Sequence, residues 1–340
     1  MDKKLYLCVV IIYLIEASVA SYCTVRNEGH CYFTVNCESP SIITNIIPQC
    51  DDADPYVTFA ISESSTQNIT ANFFQTRFDS FVRIFTADSN NWTAVQNLAF
   101  SNFKNVLYMD LSCNQIKNIG TAFKGLEVLD SLNLSRNHLE VIRPETLMIS
   151  ENKNRLYLLD LSYNFLTYLS ADMFVNLNNL QKLYLQGNNL TTFRDEHFRY
   201  LKNLSYLNIC CGNLRMLNMT TNYLMSLKYL DVSCNKIDIF NVTGISLEAI
   251  DLSHNNIKEF MCDQLPYLLK IDLSYNKIEN VSCNNLQNLQ KLHNEYVQDI
   301  RKPLIKIDLN NNQISNMSLK DLNLSFNNIS IFNMPGLTSL

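Results

Sequence analysis

Along most of the chain, apolar residues recur in one spacing, Leu-x-x-Leu-x-Leu-x-x-Asn-x-Leu. It reads Leu129, Leu132, Leu134, Asn137, Leu139, and again Leu156, Leu159, Leu161, Asn164, Leu166. The frame opens with Val106, Met109 and Leu111 and restarts at Leu180, Leu204, Leu227, Leu247, Leu268, Leu304 and Leu319. With the first residue of a frame as place 1, the alternating apolar places 4 and 6 predict a short strand with one face inward. A lone strand cannot bury that face, so neighbouring strands must stack in parallel to make a continuous core. At place 9 an asparagine turns the chain out of the strand, and its amide can satisfy backbone groups orphaned in the turn. That residue is Asn114, Asn137, Asn164, Asn188, Asn235, Asn255, Asn276, Asn312 or Asn327. Gly212 stands there after Ile209, so that turn is expected to differ.

The ends of the array are less regular. Val82, Phe85, Ala87 and Asn90, and before them Tyr56, Phe59 and Ile61, fit the frame loosely and predict degenerate early repeats over 56–105. Cys23, Cys31, Cys37 and Cys50 crowd the segment before them. End coils need a cover, and a cysteine-stapled N-terminal cap over 21–55 provides one. Four cysteines allow three pairings, between which the sequence does not choose; a zinc site is the rival, without a Cys-x-x-Cys spacing to support it. The repeats of 106–340 become irregular from 284: Leu268 and Leu304 lie far apart, and Leu304 and Leu319 unusually close. Between them Leu286, Leu289, Leu292 and Tyr296 have helical spacing, which predicts a short convex helix. A further frame opens at Leu337, so a truncated array is expected.

Residues 1–20 carry Lys3 and Lys4, an apolar run over 5–15, and small residues Ser18 and Ala20, the pattern of a signal peptide. Secretion to an oxidising, extracellular compartment suits the 11 cysteines. A net charge of −5 with no basic run speaks against nucleic acid, and no later apolar run is long enough for a membrane span. Asn-x-Ser/Thr acceptors at Asn68, Asn91, Asn189, Asn203, Asn218, Asn241, Asn280 and Asn316 are candidate glycosylation sites, whereas Asn133 and Asn323 sit inside the repeat string itself.

Ten near-periodic copies identify the chain as resembling the extracellular leucine-rich-repeat proteins. The resemblance implies an α/β repeat solenoid, a horseshoe with a parallel sheet on the concave face and loops or short helices on the convex face. A narrower likeness is to the secreted leucine-rich-repeat immune proteins of mosquitoes. It rests on Cys31-Tyr32-Phe33-Thr34-Val35, Val57-Thr58-Phe59 and Asp79-Ser80-Phe81, in that order. It implies innate-immune recognition, and partners such as a complement-like thioester protein or another leucine-rich-repeat chain. The C-terminal cap, interchain cysteine and coiled coil of those proteins have no counterpart in these residues.

No catalytic pattern is found: the five histidines are scattered, and there is no Gly-x-Ser-x-Gly elbow, phosphate loop or paired-histidine metal motif. The chain is therefore expected to be no enzyme and to need no cofactor. Function then falls on the concave face, where Tyr184, Tyr206, Tyr229, Asp231, Asp251, Asp272 and Tyr275 are the candidate ligand-binding residues. Tyrosine gives rigid contact area and a directed hydroxyl, although aspartate at place 5 and tyrosine on strands also serve the repeat itself. Cys262 and Cys283 occupy equivalent places in consecutive frames and are expected to form a disulfide, because coils stacked at about 4.8 Å fall within bridging range. The favoured function is a secreted binding protein or carrier. The alternatives are an ectodomain fragment of a Toll-like or cell-adhesion receptor and a structural matrix protein.

Overall fold

In each frame a strand forms where places 3 to 5 fall, since two apolar side chains at places 4 and 6 draw that segment onto the core. The computed structural model describes residues 23–29, 32–37, 56–62, 67–70, 81–150, 154–219, 222–243, 246–261, 265, 267–282, 306–308, 311–313 and 316–318. Contacts divide the chain into two units, Met1–Phe165 with Asp172–Leu177, and Leu166–Ala171 with Asn178–Leu340.

In the first unit the strands are β1 (Cys23–Gly29), β2 (Tyr32–Cys37), β3 (Tyr56–Ile61), β4 (Asn68–Ile69), β5 (Val82–Thr86), β6 (Ala94–Val95), β7 (Tyr108–Asp110), β8 (Ser131–Asn133) and β9 (Leu158–Asp160). Its main sheet runs β1-β2-β3-β5-β7-β8-β9. β1 and β2 form an antiparallel hairpin that places Cys23 opposite Cys37, and every later pairing in that sheet is parallel.

The second unit holds β10 (Lys182–Tyr184), β11 (Thr192–Arg194), β12 (Tyr206–Asn208), β13 (Met216–Met219), β14 (Tyr229–Asp231) and β15 (Ile239–Val242). It continues with β16 (Ala249–Asp251), β17 (Glu259–Met261), β18 (Lys270–Asp272), β19 (Asn280–Ser282), β20 (Lys306–Asp308) and β21 (Asn316–Ser318). Its main sheet is β10-β12-β14-β16-β18-β20, all parallel. The return segments pair separately as β11-β13-β15 and β17-β19-β21. Short 3-10 turns, Asp195–Phe198 and Asn222–Leu224, follow β11 and β13 in their returns, and Pro144–Leu147 lies in a return of the first unit. This is a leucine-rich-repeat solenoid of stacked coils.

The place-4 and place-6 side chains are buried throughout, from Met109 and Leu111 to Ile271 and Leu273. A second layer comes from the returns: Phe100, Phe123, Phe174 and Phe198 are all at most 1% exposed. In the first unit these rings form a chain of contacts, Phe85 with Phe100 at 5.3 Å and Phe100 with Phe123 at 5.9 Å. In the second unit His197 is buried against Phe193, its Nδ1 accepting from the Arg194 amide at 3.0 Å while Nε2 faces the Leu169 carbonyl at 3.1 Å.

The place-9 asparagines form a hydrogen-bonded ladder. Asn137 Nδ2 donates to the carbonyls of Leu111 in the preceding coil and of Leu134 and Ser135 in its own. Its Oδ1 accepts from the Ile116 amide at 3.0 Å. Asn114, Asn164, Asn235, Asn255 and Asn276 repeat both halves of this arrangement. Asn90 of the loosely matching early frame also reaches back, to the Ile61 carbonyl at 3.0 Å. Directly before the ladder, place 8 is left-handed in every described coil: φ is 54° at Arg136, 52° at Tyr163, 59° at Cys211 and 55° at His254.

Gly212 interrupts the ladder: place 9 of this coil has no side chain to do for Leu190 what Asn188 Oδ1 does for the Leu166 amide. Its φ is not among the left-handed ones. The glycine is fitted by space instead: a Cβ there would stand 3.0 Å from Asn235 Oδ1 and 3.1 Å from the Asn188 carbonyl. The coils have closed over the missing side chain.

In the irregular stretch, β18 pairs β20 and β19 pairs β21. The extra length between Leu268 and Leu304 therefore lies between Ser282 and Lys306, and the short interval after Leu304 still holds both a main-sheet and a return strand. The expected signal peptide, Cys31, Cys50, Cys262, Cys283, the helix near 284–297 and the frames at Leu319 and Leu337 lie outside the described residues.

Two stability outcomes follow. Asn137→Ala strands several buried backbone groups and should cost about 2–4 kcal/mol, read as a lowered urea midpoint at unchanged m-value. Gly212→Val overfills a closed gap and should cost about 1–3 kcal/mol. Equal melting temperatures for Gly212→Val and wild type would show that the gap is open.

Candidate functional site: the exposed face of the second unit's sheet

Places 3 and 5 of each strand face away from the core, so residues two apart share the exposed face. In the second unit three of these places carry tyrosines on consecutive strands. Tyr206 on β12 pairs in register with Tyr229 on β14, their ring centroids 6.5 Å apart. Tyr184 on β10 is in register with Asn208 and reaches Tyr206 diagonally, at 5.2 Å. Both contacts are tilted, which avoids the face-to-face sandwich that ring quadrupoles disfavour. Tyr184 and Tyr206 are half-buried and Tyr229 is 46% exposed, so the rings brace one another and still offer a surface.

The aspartates have a different employment. Asp231, Asp251 and Asp272 stand in register on β14, β16 and β18. Each Oδ1 accepts from the amide of the serine two residues on, at 3.0 Å, and from its hydroxyl at 2.7 Å. Asp110 and Asp160 accept from the Ser112 and Ser162 amides at 2.9 Å. These are side-chain caps on strand ends. In the first unit Tyr108 donates to Asp110 Oδ2 at 2.9 Å; burial, with that carboxylate beside it, pushes the phenol up to about 12.

Tyr275 is apart from the trio. It occupies place 8 and stacks on His254 of the preceding coil, centroids 4.2 Å apart and planes within 6°. In the first unit the Arg136 guanidinium lies 4.5 Å over the Tyr163 ring, again place 8 against place 8. Sequence reasoning passed over His254 and Arg136. The available signal was their shared place, read down the column of coils rather than along the chain.

Of the glycan-acceptor candidates, Asn68, Asn91, Asn189, Asn203 and Asn241 are exposed, and Asn218 and Asn280 half-buried. All seven lie on return strands or in turns, off the main sheets; for Asn316 the backbone places it on β21. Asn133, on main-sheet strand β8, has both ends of its amide engaged, donating to Asp110 Oδ2 at 3.1 Å and accepting from the Ser135 amide. Among the described residues there is no helix long and apolar enough to cross a membrane and no group of three potential metal ligands.

Because Asp251 caps its strand, Asp251→Ala should lower stability by about 1–2 kcal/mol, and Asp251→Asn, which keeps the acceptor, should recover most of it. Chemical denaturation of both variants checks this; an Asn variant as weak as Ala would mean that the carboxylate charge, not the cap, matters.

The description "Leucine rich repeat" matches residues 82–152 and 154–210, and a second such repeat description matches 223–238 and 315–330. Human oligodendrocyte-myelin glycoprotein is 31% identical over 105 residues, 31% of this chain and 22% of that protein. Rabbit (Oryctolagus cuniculus) fibromodulin is 31% identical over 115 residues, 34% of this chain and 74% of that protein. Among solved structures, the mosquito LRIM1/APL1C complex superposes with a TM-score of 0.59 at 20% identity, over 84% of this chain and 50% of that one. At that identity the likeness is one of fold. With the periodic frame, the stacked parallel strands and the asparagine ladder, these matches show that the chain belongs to the leucine-rich-repeat family.

Proposed function

We propose that this is a secreted binding protein that docks a protein partner on the exposed face of the second unit's main sheet, centred on Tyr184, Tyr206 and Tyr229. The observation that carries the reading is the mutually braced tyrosine trio. Rings already held by one another lose little freedom when a partner covers them, and rigid aromatic anchors dominate protein interfaces. The placement of the glycan acceptors supports it, since glycans on the return side would leave this face clear. Relatives named as a myelin glycoprotein and fibromodulin fit an extracellular setting. A structural neighbour named as a complex of two such chains fits a partner that is another leucine-rich-repeat chain or a complement-like protein in innate-immune recognition.

The test is purification of the protein with its bound partner from the native fluid, followed by affinity measurement on the purified pair. Tyr206→Ala with Tyr229→Ala should leave the circular dichroism spectrum unchanged. Each lost anchor is worth on the order of 2 kcal/mol, so binding should weaken by at least tenfold. An unchanged affinity in the folded double variant would sink the proposal.

A further inference from the structure

Three free thiols meet at the edge of the second unit's sheet, where the chain leaves it. Cys210 and Cys211 are places 7 and 8 of the frame opening at Leu204, and Cys234 is place 8 of the next. The Cys210 and Cys211 Sγ atoms are 2.9 Å apart, and Cys234 stands one coil from Cys211, close enough that Cys211 raises its thiol. Cys211 is thus the member next to both of the others. Cys211 and Cys234 are exposed, whereas Cys210 is buried.

The backbone at the two exposed thiols is repeated one coil apart. Both residues are left-handed, with φ of 59° and 52°. Both amides donate to the place-7 carbonyl of the next coil at 2.9 Å, Cys211 to Ser233 and Cys234 to Ser253. One coil step of about 4.8 Å lies inside the Cα range of about 4.4–6.8 Å for a disulfide. Neighbouring side chains in this column touch elsewhere too, as Arg136 with Tyr163 and His254 with Tyr275. Both cysteines stand beyond the ends of β12 and β14, where a small shift brings the Cβ atoms together without breaking strand pairing.

We propose that Cys211 and Cys234 are a redox-active pair that closes a coil-to-coil disulfide by exchange with a small disulfide such as oxidised glutathione. The Cys211 thiolate attacks one sulfur of the small disulfide, forming a mixed disulfide and releasing one thiolate. The Cys234 thiolate then attacks Cys211 Sγ, forming the protein bridge and releasing the second. Two protein thiols are oxidised and one small disulfide is reduced to two thiols. Burial, and then the neighbouring Cys211, hold the Cys234 thiol above its ordinary range. The second influence falls away once Cys211 is capped, at the stage when Cys234 must ionise. Cys210 is pushed up furthest, by burial first, so it remains a thiol and a bystander. The bridge would tie together the two strands that carry Tyr206 and Tyr229.

The experiment incubates the native protein in a series of glutathione redox ratios, quenches by alkylation and maps peptides without reduction. Cys113 is the internal control: it is an exposed free thiol at place 8 whose column neighbours are Ser89 and Arg136. The expected result is a Cys211–Cys234 linked peptide at oxidising ratios, with Cys113 carried no further than a mixed disulfide. Cys210→Ala should keep the bridge; Cys234→Ser should stop Cys211 at the mixed disulfide and abolish a rise in melting temperature seen on oxidation. A Cys210–Cys211 bridge in the wild type, or Cys211 and Cys234 that are alkylated or singly glutathionylated at every ratio, would overturn the proposal.

Discussion

Stacking short strands leaves a difficulty that strand pairing does not solve. Where each coil turns out of the sheet, the carbonyls of places 6 and 7 and the amide of place 11 are deep in the structure with no strand to bond. Burying such groups unpaired would cost about 1–3 kcal/mol each. An asparagine at place 9 is the side chain with two donors and an acceptor at the right reach, and here it serves two coils at once. Aspartate lacks the donors, and leucine lacks everything but bulk. The ladder therefore fixes the distance between neighbouring coils, and with it the spacing of everything mounted on the faces. The tyrosine trio meets ring against tilted ring because its strands are held at that interval.

Stability is accordingly local and sequential. Each asparagine couples one coil to the one before, as in other repeat proteins whose cohesion is a sum of nearest-neighbour terms. Gly212 is the one described place where this coupling is absent, and the backbone has settled into the space.

Much of this was legible in the sequence. Strand positions follow from the alternation at places 4 and 6, and the ladder from a repeated asparagine. The phenylalanine layer was not read, although Phe100, Phe123, Phe174 and Phe198 each precede the next frame by six residues. Their signal counts backward from the following coil, because the return segments differ in length and only their ends are in register. The left-handed turn at place 8 is hidden for another reason: Arg136, Tyr163, Cys211 and His254 share a dihedral and no chemistry. The aspartates at place 5 were legible as a column, but only hydrogen-bond geometry shows them capping strand ends. The tyrosines were legible as a cluster because register follows once the frame is assigned.

The left-handed residue at place 8 also acts as a filter. Ser89, Cys113, Arg136, Tyr163, Gly187, Cys211, Cys234, His254, Tyr275 and Asn311 occupy it, and none is branched at Cβ. A branched Cβ collides with its own backbone at positive φ, so valine, isoleucine and threonine are barred there while any straighter side chain is admitted. Beyond that atom the position is permissive: hydroxyl, thiol, guanidinium, phenol and imidazole all follow the same turn. Such a site lets a lineage of chains exchange one recognition group for another, coil by coil, with the scaffold beneath unaltered.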